Sequence, residues 1–522
     1  MILSADPPAT AAKVVQLRPS RTQRLIHMSA YQAAQYDPSR HNWQRGIPRS
    51  ADADTLPERE ALVSRSRDAV RNDPTALRAI TSKVSNVIST GPVPQAALNW
   101  RALGISQEQA REIRAEQEAA WALWAEECDA SGRLPYGGFC QLTYRTQEVS
   151  GESLTQFATI DQPGRISPLA LYAIDPDRLA SPGGKFANPK IRDGIELGEW
   201  DRPLAYYIRE AHPADLYVAP RGNPRQVNRI AASDPQGRPL ILHLYHVDRA
   251  AQSRGVPTLS PVLTRLKDLS DYLEAEIQSM IAAGSVVWSK TTELPDDPDY
   301  FGADGLDATD ERGTYLEDIE PLSVYNLRPG ETMNLHSSDR PGNNFEAFVK
   351  SIKRVIAAGV NQPYELISAD FSDANYSNLR GALLEARRYF QMDQHDFINR
   401  WCKAVWRRVM EDLYLRGLWG KSIPPARFYA NPRAWLAVIF LPVGWSWVDP
   451  RNEAISAEIE LRNRLTTHRR IFAARGEDAE EQFEIMAEER DILDGLDLPY
   501  PLPAQNPIGP DEPEEESSDG AA

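Results

Sequence analysis

Apolar residues recur at helical spacing in three long stretches of the second half of the chain. The first stretch, 260–283, begins with a Ser-Pro pair and ends at a glycine, which predicts a helix of roughly 35 Å. The second begins near residue 343 and also ends at a glycine, and the third covers 376–415 with Asn375 or Ser377 as its cap. The apolar positions that we expect to pack in the first two helices are Leu266, Leu269, Leu273, Ile277, Phe345, Phe348 and Ile352.

The first half of the chain combines helical and β-type patterns. Helical patterns cover 54–69 and 75–90, and another starts at Ser106, where Gln109 completes a capping-box signal. Between 135 and 247, short β-rich runs alternate with clusters of Gly, Pro, Asp and Asn, which predicts a β-containing unit. The runs are GGFCQLTYRT, PLALYAI, PLAYYIRE and PLILHLYHV.

Three segments lack strong helical periodicity. Residues 1–45 read as an irregular arm that is partly disordered, and the Pro-rich acidic tail 501–522 is expected to be disordered. The insert 286–342 is rich in Asp, Gly and Pro and carries two short strand candidates, SVVWSK and EPLSVYNL. The chain therefore alternates long helices with short, turn-rich units.

Composition narrows the class of protein. The length of 522 residues suggests two to four structural units, and no segment approaches the apolar length of a membrane span. The net charge of −16 argues against a protein that coats DNA, but not against one past which DNA must slide without sticking. Cys128, Cys140 and Cys402 form no metal-type cluster.

Catalytic signatures are not found in the sequence. It contains no GxxxxGK[ST], GxSxG, HExxH, GxGxxG or CxxC pattern. The nearest histidine pair, His243 and His246, is interpreted as ordinary strand residues on opposite faces rather than a metal site. The acidic pairs Asp296-Asp297 and Asp370…Asp373 are interpreted as solvated loop carboxylates. We therefore expect no catalytic residue, cofactor or metal.

A basic triplet has two interpretations. Lys350, Lys353 and Arg354 share one face of the second helix. They are either a solvated face that pairs with the acidic side of the 260–283 helix, or a set of weak contacts to phosphates.

Three stretches carry a resemblance to a known family. They are SRGVPTLSPVLTRLKDLSDY; RPGNNFEAFVKSIKRVIAAGVNQPYELISADFSDANYSNLRGALLEARR; and VDPRNEA with the helices that follow it. The chain resembles the lambda-like family of phage portal proteins over roughly residues 30 to 500. The second stretch is the most specific, because a helix, a GVNQPYELI turn and a DFSDANYSNLR segment occur in that order.

The resemblance implies an α+β portal fold that assembles as a ring of about twelve subunits. The implied regions are an N-terminal arm (1–45), a wing of helices then β-rich segments (46–258), stem helix 1 (259–285), a small clip (286–342), stem helix 2 (343–360), a tunnel loop with the C-terminal part of the wing (361–452), an α-helical crown (453–500) and the acidic tail (501–522). Twelve helices at ~10 Å spacing enclose a channel of ~28 Å, which has room for one DNA duplex.

The resemblance also implies function and partners. Such a ring occupies one capsid vertex of the virion, nucleates capsid assembly in the host bacterial cytoplasm, and passes double-stranded DNA without sequence specificity during packaging and ejection. Its implied partners are further copies of itself, the large terminase subunit, a head-tail adaptor, and the major capsid and scaffolding proteins, with no membrane. Alternatives are another head-tail connector ring or a packaging enzyme such as a nuclease or motor.

Candidate channel residues follow from this assignment. The implied tunnel loop covers about 368–376, and its polar members are expected to lie near passing DNA. The candidates are Asp370, Ser372, Asp373 and Asn375 of the loop, together with Lys350, Lys353 and Arg354 of stem helix 2.

Overall fold

The computed structural model describes residues 48–184, 188–215, 222–284, 288–292, 331–335, 345–372, 375–445 and 450–496. Helices alternate with antiparallel strand pairs in this part of the chain, which agrees with the predicted α+β class. The N-terminal arm, most of the insert 286–342 and the acidic tail lie outside the described residues.

Helices dominate the described residues 48–150. The segments are α1 (Ala51–Thr55), α2 (Arg59–Asn72), α3 (Pro74–Val87), α4 (Trp100–Leu103), α5 (Gln107–Glu126) and α6 (Tyr136–Ser150). Asp73 caps α3, since its carboxylate accepts hydrogen bonds from the N–H groups of Thr75 and Ala76. At α5 the predicted capping box is confirmed, with Ser106 and Gln109 as its two members.

The first β-type run was predicted wrongly, because GGFCQLTYRT lies within helix α6. Its aromatic and β-branched residues are typical of strands. Phe139, Thr143, Tyr144 and Gln147 are instead buried at helical spacing against the rest of the core. Gly137 permits this packing, because a Cβ there would lie 2.1 Å from the carbonyl oxygen of Thr90. Tertiary contact therefore outweighs local preference.

The other three β-type runs form strands, as predicted. The strands are β1 (Val93–Ala96), β2 (Glu152–Thr159), β3 (Leu169–Ile174), β4 (Ile191–Arg192), β5 (Ile195–Leu197), β6 (Pro203–Arg209), β7 (Val227–Ala231) and β8 (Ile241–Tyr245). Strand β2 lies between β3 and β8, with Leu154 opposite both Ile174 and His243. Strands β4 to β7 form a separate antiparallel meander in chain order.

Two long helices flank the insert. They are α7 (Leu263–Gly284) and α8 (Phe345–Gly359), and the strands β9 (Trp288–Thr292) and β10 (Glu331–Leu335) pair antiparallel between them. The candidate SVVWSK overlaps β9. The second candidate, EPLSVYNL, falls outside the described residues.

The rest of the chain is mainly helical. Its elements are α9 (Tyr364–Ser368), α10 (Tyr376–Phe397), a π-helical turn (Ile398–Cys402), α11 (Lys403–Leu415), α12 (Pro425–Ala430), α13 (Pro432–Trp435), β11 (Val438–Leu441), α14 (Pro450–Arg462), α15 (His468–Arg475) and α16 (Ala479–Gly495). The predicted helix 376–415 is confirmed, with the π-helical turn in its middle.

One aromatic core joins the two halves of the chain. Strand β11 pairs with β1, which lies more than 300 residues earlier. Trp121 of α5 lies 5.0 Å from Trp124 and 5.1 Å from Trp406 of α11, measured between ring centroids. Ile398, Trp401 and Trp406 are buried in this core. This core fixes the long helix against the β-containing unit.

Candidate functional site

Helices α7 and α8 pack tightly at their root. Leu266 and Leu269 of α7 are fully buried in a cluster with Ile356 of α8 and Ile80 of α3. The residue just before α7 approaches the end of α8 closely, since a Cβ on Gly359 would lie 2.3 Å from Cγ1 of Val262. The root of the helix pair therefore belongs to the core of the single chain.

The far half of the pair is much less covered. Leu273, Phe345 and Ile352 are partly buried, whereas Ile277 is 57% exposed and Phe348 is 47% exposed. The ring of Tyr272 stacks on Phe345 at 5.8 Å and meets Phe348 edge-on at 5.0 Å. The predicted packing positions thus divide into a buried root and an exposed apolar far end.

The basic triplet makes local contacts. Nζ of Lys350 lies 2.7 Å from Oε1 of Glu346 on the same helix, and the guanidinium of Arg354 lies 5.6 Å from the ring centroid of Tyr364. Asp268 and Asp271 of α7 pair with Arg265 and Lys267 of their own helix. Lys353 is partly buried. These described contacts of Lys350 and Arg354 differ from the predicted pairing with α7.

The loop after α9 is organised around Asp370. Its carboxylate accepts hydrogen bonds from the Ser372 hydroxyl at 2.6 Å, the Ser372 N–H at 3.1 Å and the Tyr364 hydroxyl at 3.1 Å. These hydrogen bonds, strongest from Ser372, lower the pKa of Asp370 to about 2. The loop therefore keeps this negative charge at any physiological pH.

The structure brings the loop and the basic helix together. Tyr364 contacts Arg354 through its ring and Asp370 through its hydroxyl. Asn375 caps α10 by accepting a hydrogen bond from the Asn378 N–H at 2.8 Å, so the first of the two predicted caps is confirmed. Asp373 lies outside the described residues.

A buried ionic cluster, which the sequence did not reveal, holds the segment that leads into α7. The Glu152 carboxylate accepts hydrogen bonds from Nε of Arg254 at 2.8 Å, Nη2 of Arg59 at 2.6 Å and the Gly255 N–H at 3.1 Å. His243 Nε2 lies 3.0 Å from the same carboxylate. Burial alone would raise the pKa of Glu152, but Arg254 and Arg59 hold it well below its usual value.

A second buried carboxylate extends the cluster. Glu148 Oε2 lies 2.9 Å from Nζ of Lys83 and accepts a hydrogen bond from the Thr258 hydroxyl at 2.7 Å. Its Oε1 lies 3.2 Å from Nε2 of His246. Burial alone would raise the pKa of Glu148, but Lys83 and His246 keep it below its usual value. Burial lowers the pKa of His243, so its contact with Glu152 is a hydrogen bond from within strand β8, whereas the pKa of His246 is raised by its pairing with Glu148.

These partners are far apart in sequence, which explains why the pattern of residues did not predict them. Arg254 and Glu152 are separated by 102 positions, and Glu148 and Lys83 by 65. The available signal was indirect: SRGVP places an arginine directly before a glycine, a valine and a proline, close to the start of an apolar helical pattern. A charged residue buried there requires a partner of opposite charge.

Gly151 separates the two glutamates and permits this close packing. Its φ is 85°, and a Cβ there would lie 2.5 Å from the carbonyl carbon of Val256. Gly151→Ala should lower the free energy of unfolding by at least about 2 kcal/mol, since the left-handed conformation and the clash both oppose a side chain. Urea unfolding measures this change. Gly381→Ala, which meets no atom within 4 Å, should instead be neutral or stabilising.

The raised pKa of His246 predicts that the stability of the fold depends on pH. Burial alone would lower its pKa, but the hydrogen bond to Glu148 and the charges of Glu148 and Asp393 raise it, while Lys83 opposes them. A raised folded-state pKa means that the stabilisation is complete below the unfolded pKa and is lost as pH rises through the folded pKa.

Urea unfolding of the unmodified chain and of His246→Gln, from about pH 6 to about pH 9, tests this dependence. The unmodified chain should lose its advantage over the variant as pH rises. His395→Gln, at an exposed position on α10, is the control and should leave the profile unchanged. An advantage that grows with pH would contradict the assignment.

One cluster has the composition of a metal site. The ligand atoms of Asp175, Asp177 and His212 lie within 4.8 Å of one another. Arg67 occupies the space between the carboxylates, 2.9 Å from Asp175 Oδ1 and 2.6 Å from Asp177 Oδ2. This guanidinium pairs with both acids and balances one of their two charges, so the cluster is an ion-pair network that ties α2 to the turn after β3.

None of the helices in the described part of the chain has the length and apolar character to span a bilayer.

Comparison with known proteins places the chain in a family. Among solved structures, the neck of a native GTA particle with C12 symmetry is similar, with a TM-score of 0.43 and 12% identity over 80% of this chain and 97% of that chain. The probable portal protein of Halomonas phage phiHAP-1 is 25% identical over 494 residues, which cover 92% of this chain and 90% of the relative. Portal protein B of Escherichia phage lambda is 24% identical over 455 residues, which cover 83% of this chain and 84% of the relative.

The family model "Phage portal protein, lambda family" matches residues 36–394, well over half of the chain. The chain therefore belongs to the lambda family of phage portal proteins.

Proposed function

We propose that this portal protein of a tailed phage or phage-like particle forms a ring of about twelve subunits at one capsid vertex. Double-stranded DNA passes through the ring, without sequence specificity, during packaging and ejection. The large terminase subunit docks during packaging and a head-tail adaptor docks later. The ring also nucleates capsid assembly with the major capsid and scaffolding proteins.

The observation that supports self-assembly is the exposed far end of the α7 and α8 pair. Ile277, Met280 and Phe348 are each about half exposed or more on the single chain. Clustered apolar side chains on a rigid helix pair are typical of a protein interface. Packing the pair against the same pair of the next subunit would remove them from water and leave the root unchanged.

The charges fit a channel that does not retain DNA. Asp370 stays ionised, and Lys350 and Arg354 already have partners within the chain. Adhesion to DNA grows with the number of phosphates that free Lys and Arg side chains neutralise. We therefore assign the loop around Asp370, Ser372 and Asn375 to the channel, with the basic face of α8 limited to weak contacts.

The regional assignments are part of the same proposal. Helices α7 and α8 form the stem, the insert 286–342 with β9 and β10 forms the clip, and α14 to α16 form the crown. The core that contains Trp121 and Trp406, together with the strands around it, forms the wing.

Imaging of the purified protein tests the ring. Negative-stain micrographs and mass photometry should show rings with a central channel and a mass of about twelve subunits. Monomers at every salt concentration would contradict the proposal. Incubation with ATP, Mg²⁺ and DNA should give no hydrolysis of either substrate, and hydrolysis would favour the packaging-enzyme alternative.

A further inference from the structure

The last helix of the chain has little core of its own. Along α16, only Ala479 is buried, and most of the helix from Glu480 onward is exposed on the single chain. An isolated helix of this length is marginal in water, because most helical stability comes from packing an apolar face. Its stability therefore calls for a surface that the single chain does not supply.

The two faces of α16 have different partners. One face contacts α15: the ring of Phe483, which is half exposed, lies 5.8 Å from the ring of Phe472. The opposite face carries Ile485 and Ile492, seven residues apart, and Leu496 follows four residues later, just after the helix ends. Ile492 is 61% exposed. This second apolar stripe is therefore only partly covered by the described part of the chain, most at Ile485 and least at Leu496.

The stripe has an acidic border. Glu481 and Glu488 lie beside the stripe, one helical turn before and one helical turn after Ile485 along the helix. Both glutamates are exposed. A complementary partner would combine apolar side chains with arginines or lysines.

The chain itself carries such a surface between α14 and α15. Ile459 is half exposed and Leu465 is 71% exposed. Arg469 and Arg470 follow at the start of α15 and are exposed, with no ion-pair partner among the residues that the structure describes. Its second half, from Leu465 to Arg470, is thus apolar with a basic border, the counterpart of the α16 stripe.

We propose that α16 of one subunit packs across the 459–470 surface of the next subunit, with Glu481 and Glu488 facing Arg469 and Arg470. The occupant of the exposed stripe is therefore a second copy of this chain. The inference rests on the ring proposed above, and it adds a specific contact that closes the crown. The two surfaces differ from each other, as a head-to-tail contact in a closed ring requires.

Cysteine cross-linking tests the contact in the full chain. A variant with both Leu465→Cys and Ile492→Cys should give a ladder of covalent multimers on mild oxidation. Each single variant should stay monomeric on a denaturing gel, because each surface meets only the other. Background should be low, since Cys128, Cys140 and Cys402 are buried and unpaired.

Charge reversal distinguishes a contact between subunits from one within a chain. In the double-cysteine background, Glu481→Lys with Glu488→Lys, or Arg469→Glu with Arg470→Glu, should each reduce the ladder ~tenfold, because like charges then face each other. A mixture of the two reversed proteins, refolded together, should restore the ladder to within about twofold. Restoration only when both reversals lie in one chain would place the contact within the chain and overturn the proposal.

The outcomes also separate this inference from the ring itself. Rings in micrographs without a ladder would overturn the crown contact and leave the ring intact, whether the stripe stays bare or serves another protein. The absence of rings under all conditions would overturn the proposed function first. Rings with a ladder that charge reversal does not reduce would refute the assigned pairing of charges.

Discussion

Glu152→Gln is expected to lower the free energy of unfolding by about 3–5 kcal/mol. The Glu152 carboxylate is fully buried and accepts hydrogen bonds from Arg254, Arg59 and the Gly255 N–H. A glutamine keeps the shape but removes the charge, and its amide nitrogen is a donor that would face other donors. Two arginines would then lose their shared counter-charge in the interior.

Urea unfolding followed by circular dichroism measures this loss. Asp268→Asn is the matched control, because it removes one carboxylate from a pair that Asp268 forms with Arg265 at the surface of α7. Its effect should stay within about 1 kcal/mol. Arg254→Lys should lower the free energy of unfolding by an intermediate amount, because lysine keeps the positive charge but cannot make the bidentate contact of the arginine. If Glu152→Gln changed stability no more than Asp268→Asn, the ionic cluster would not hold the fold.

The position of the ionic cluster, directly before α7, means that Glu152→Gln should also have a local effect on the structure. Arg254 and Gly255 lie just before α7, and Glu152 opens the central strand β2. The cluster therefore fixes the direction in which the chain leaves the β-containing unit and enters the helix pair. Weakening it should loosen α7 at its root before the aromatic core is affected, which hydrogen exchange of the 252–266 segment would detect.

Local signals explain why much of the helical structure could be predicted from sequence. The capping box of Ser106 and Gln109, the cap at Asn375 and the glycines that end α7 and α8 depend on neighbours within a few residues. Such contacts leave a pattern in the order of residues. The same reasoning located the loop around Asp370, although not its hydrogen bonds to Ser372 and Tyr364.

Long-range contacts explain what could not be predicted. Helix α6 has a strand-like composition, and its conformation depends on burial of Phe139 and Tyr144 and on the approach of Gly137 to Thr90. The ionic cluster joins side chains from helices and strands that are about a hundred residues apart. No short window of sequence contains both members of such a pair.

Periodicity also could not separate the apolar positions of the helix pair that are buried within the chain from those that are exposed on it. Leu269 and Ile277 continue the same pattern along α7, yet Leu269 is buried in the chain and Ile277 is exposed. The pattern records that a face will be covered, but not whether the cover comes from the same subunit or from the next one. The structure shows which apolar positions are already buried within the chain. A substitution can therefore be placed at an exposed position, where it should affect assembly and not the fold.

Ile277→Asp is expected to abolish ring assembly while leaving the single chain folded. The side chain is 57% exposed on the isolated chain, so the substitution should change the free energy of unfolding by no more than about 1 kcal/mol. In the proposed ring it would place an unpaired carboxylate between packed stems. Burial of such a charge is costly, and every interface around the ring would carry the same cost.

Mass photometry and negative-stain images measure assembly, and urea unfolding measures the fold. Gln278→Asp is the matched control, because it adds the same charge at the next, exposed position of α7 and should leave rings intact. Leu269→Asp should unfold the chain itself, since Leu269 is buried at the root. Leu273 is less suitable, because it is partly buried against the same root cluster. Rings of Ile277→Asp at the unmodified yield would show that this face of α7 is not the face between subunits.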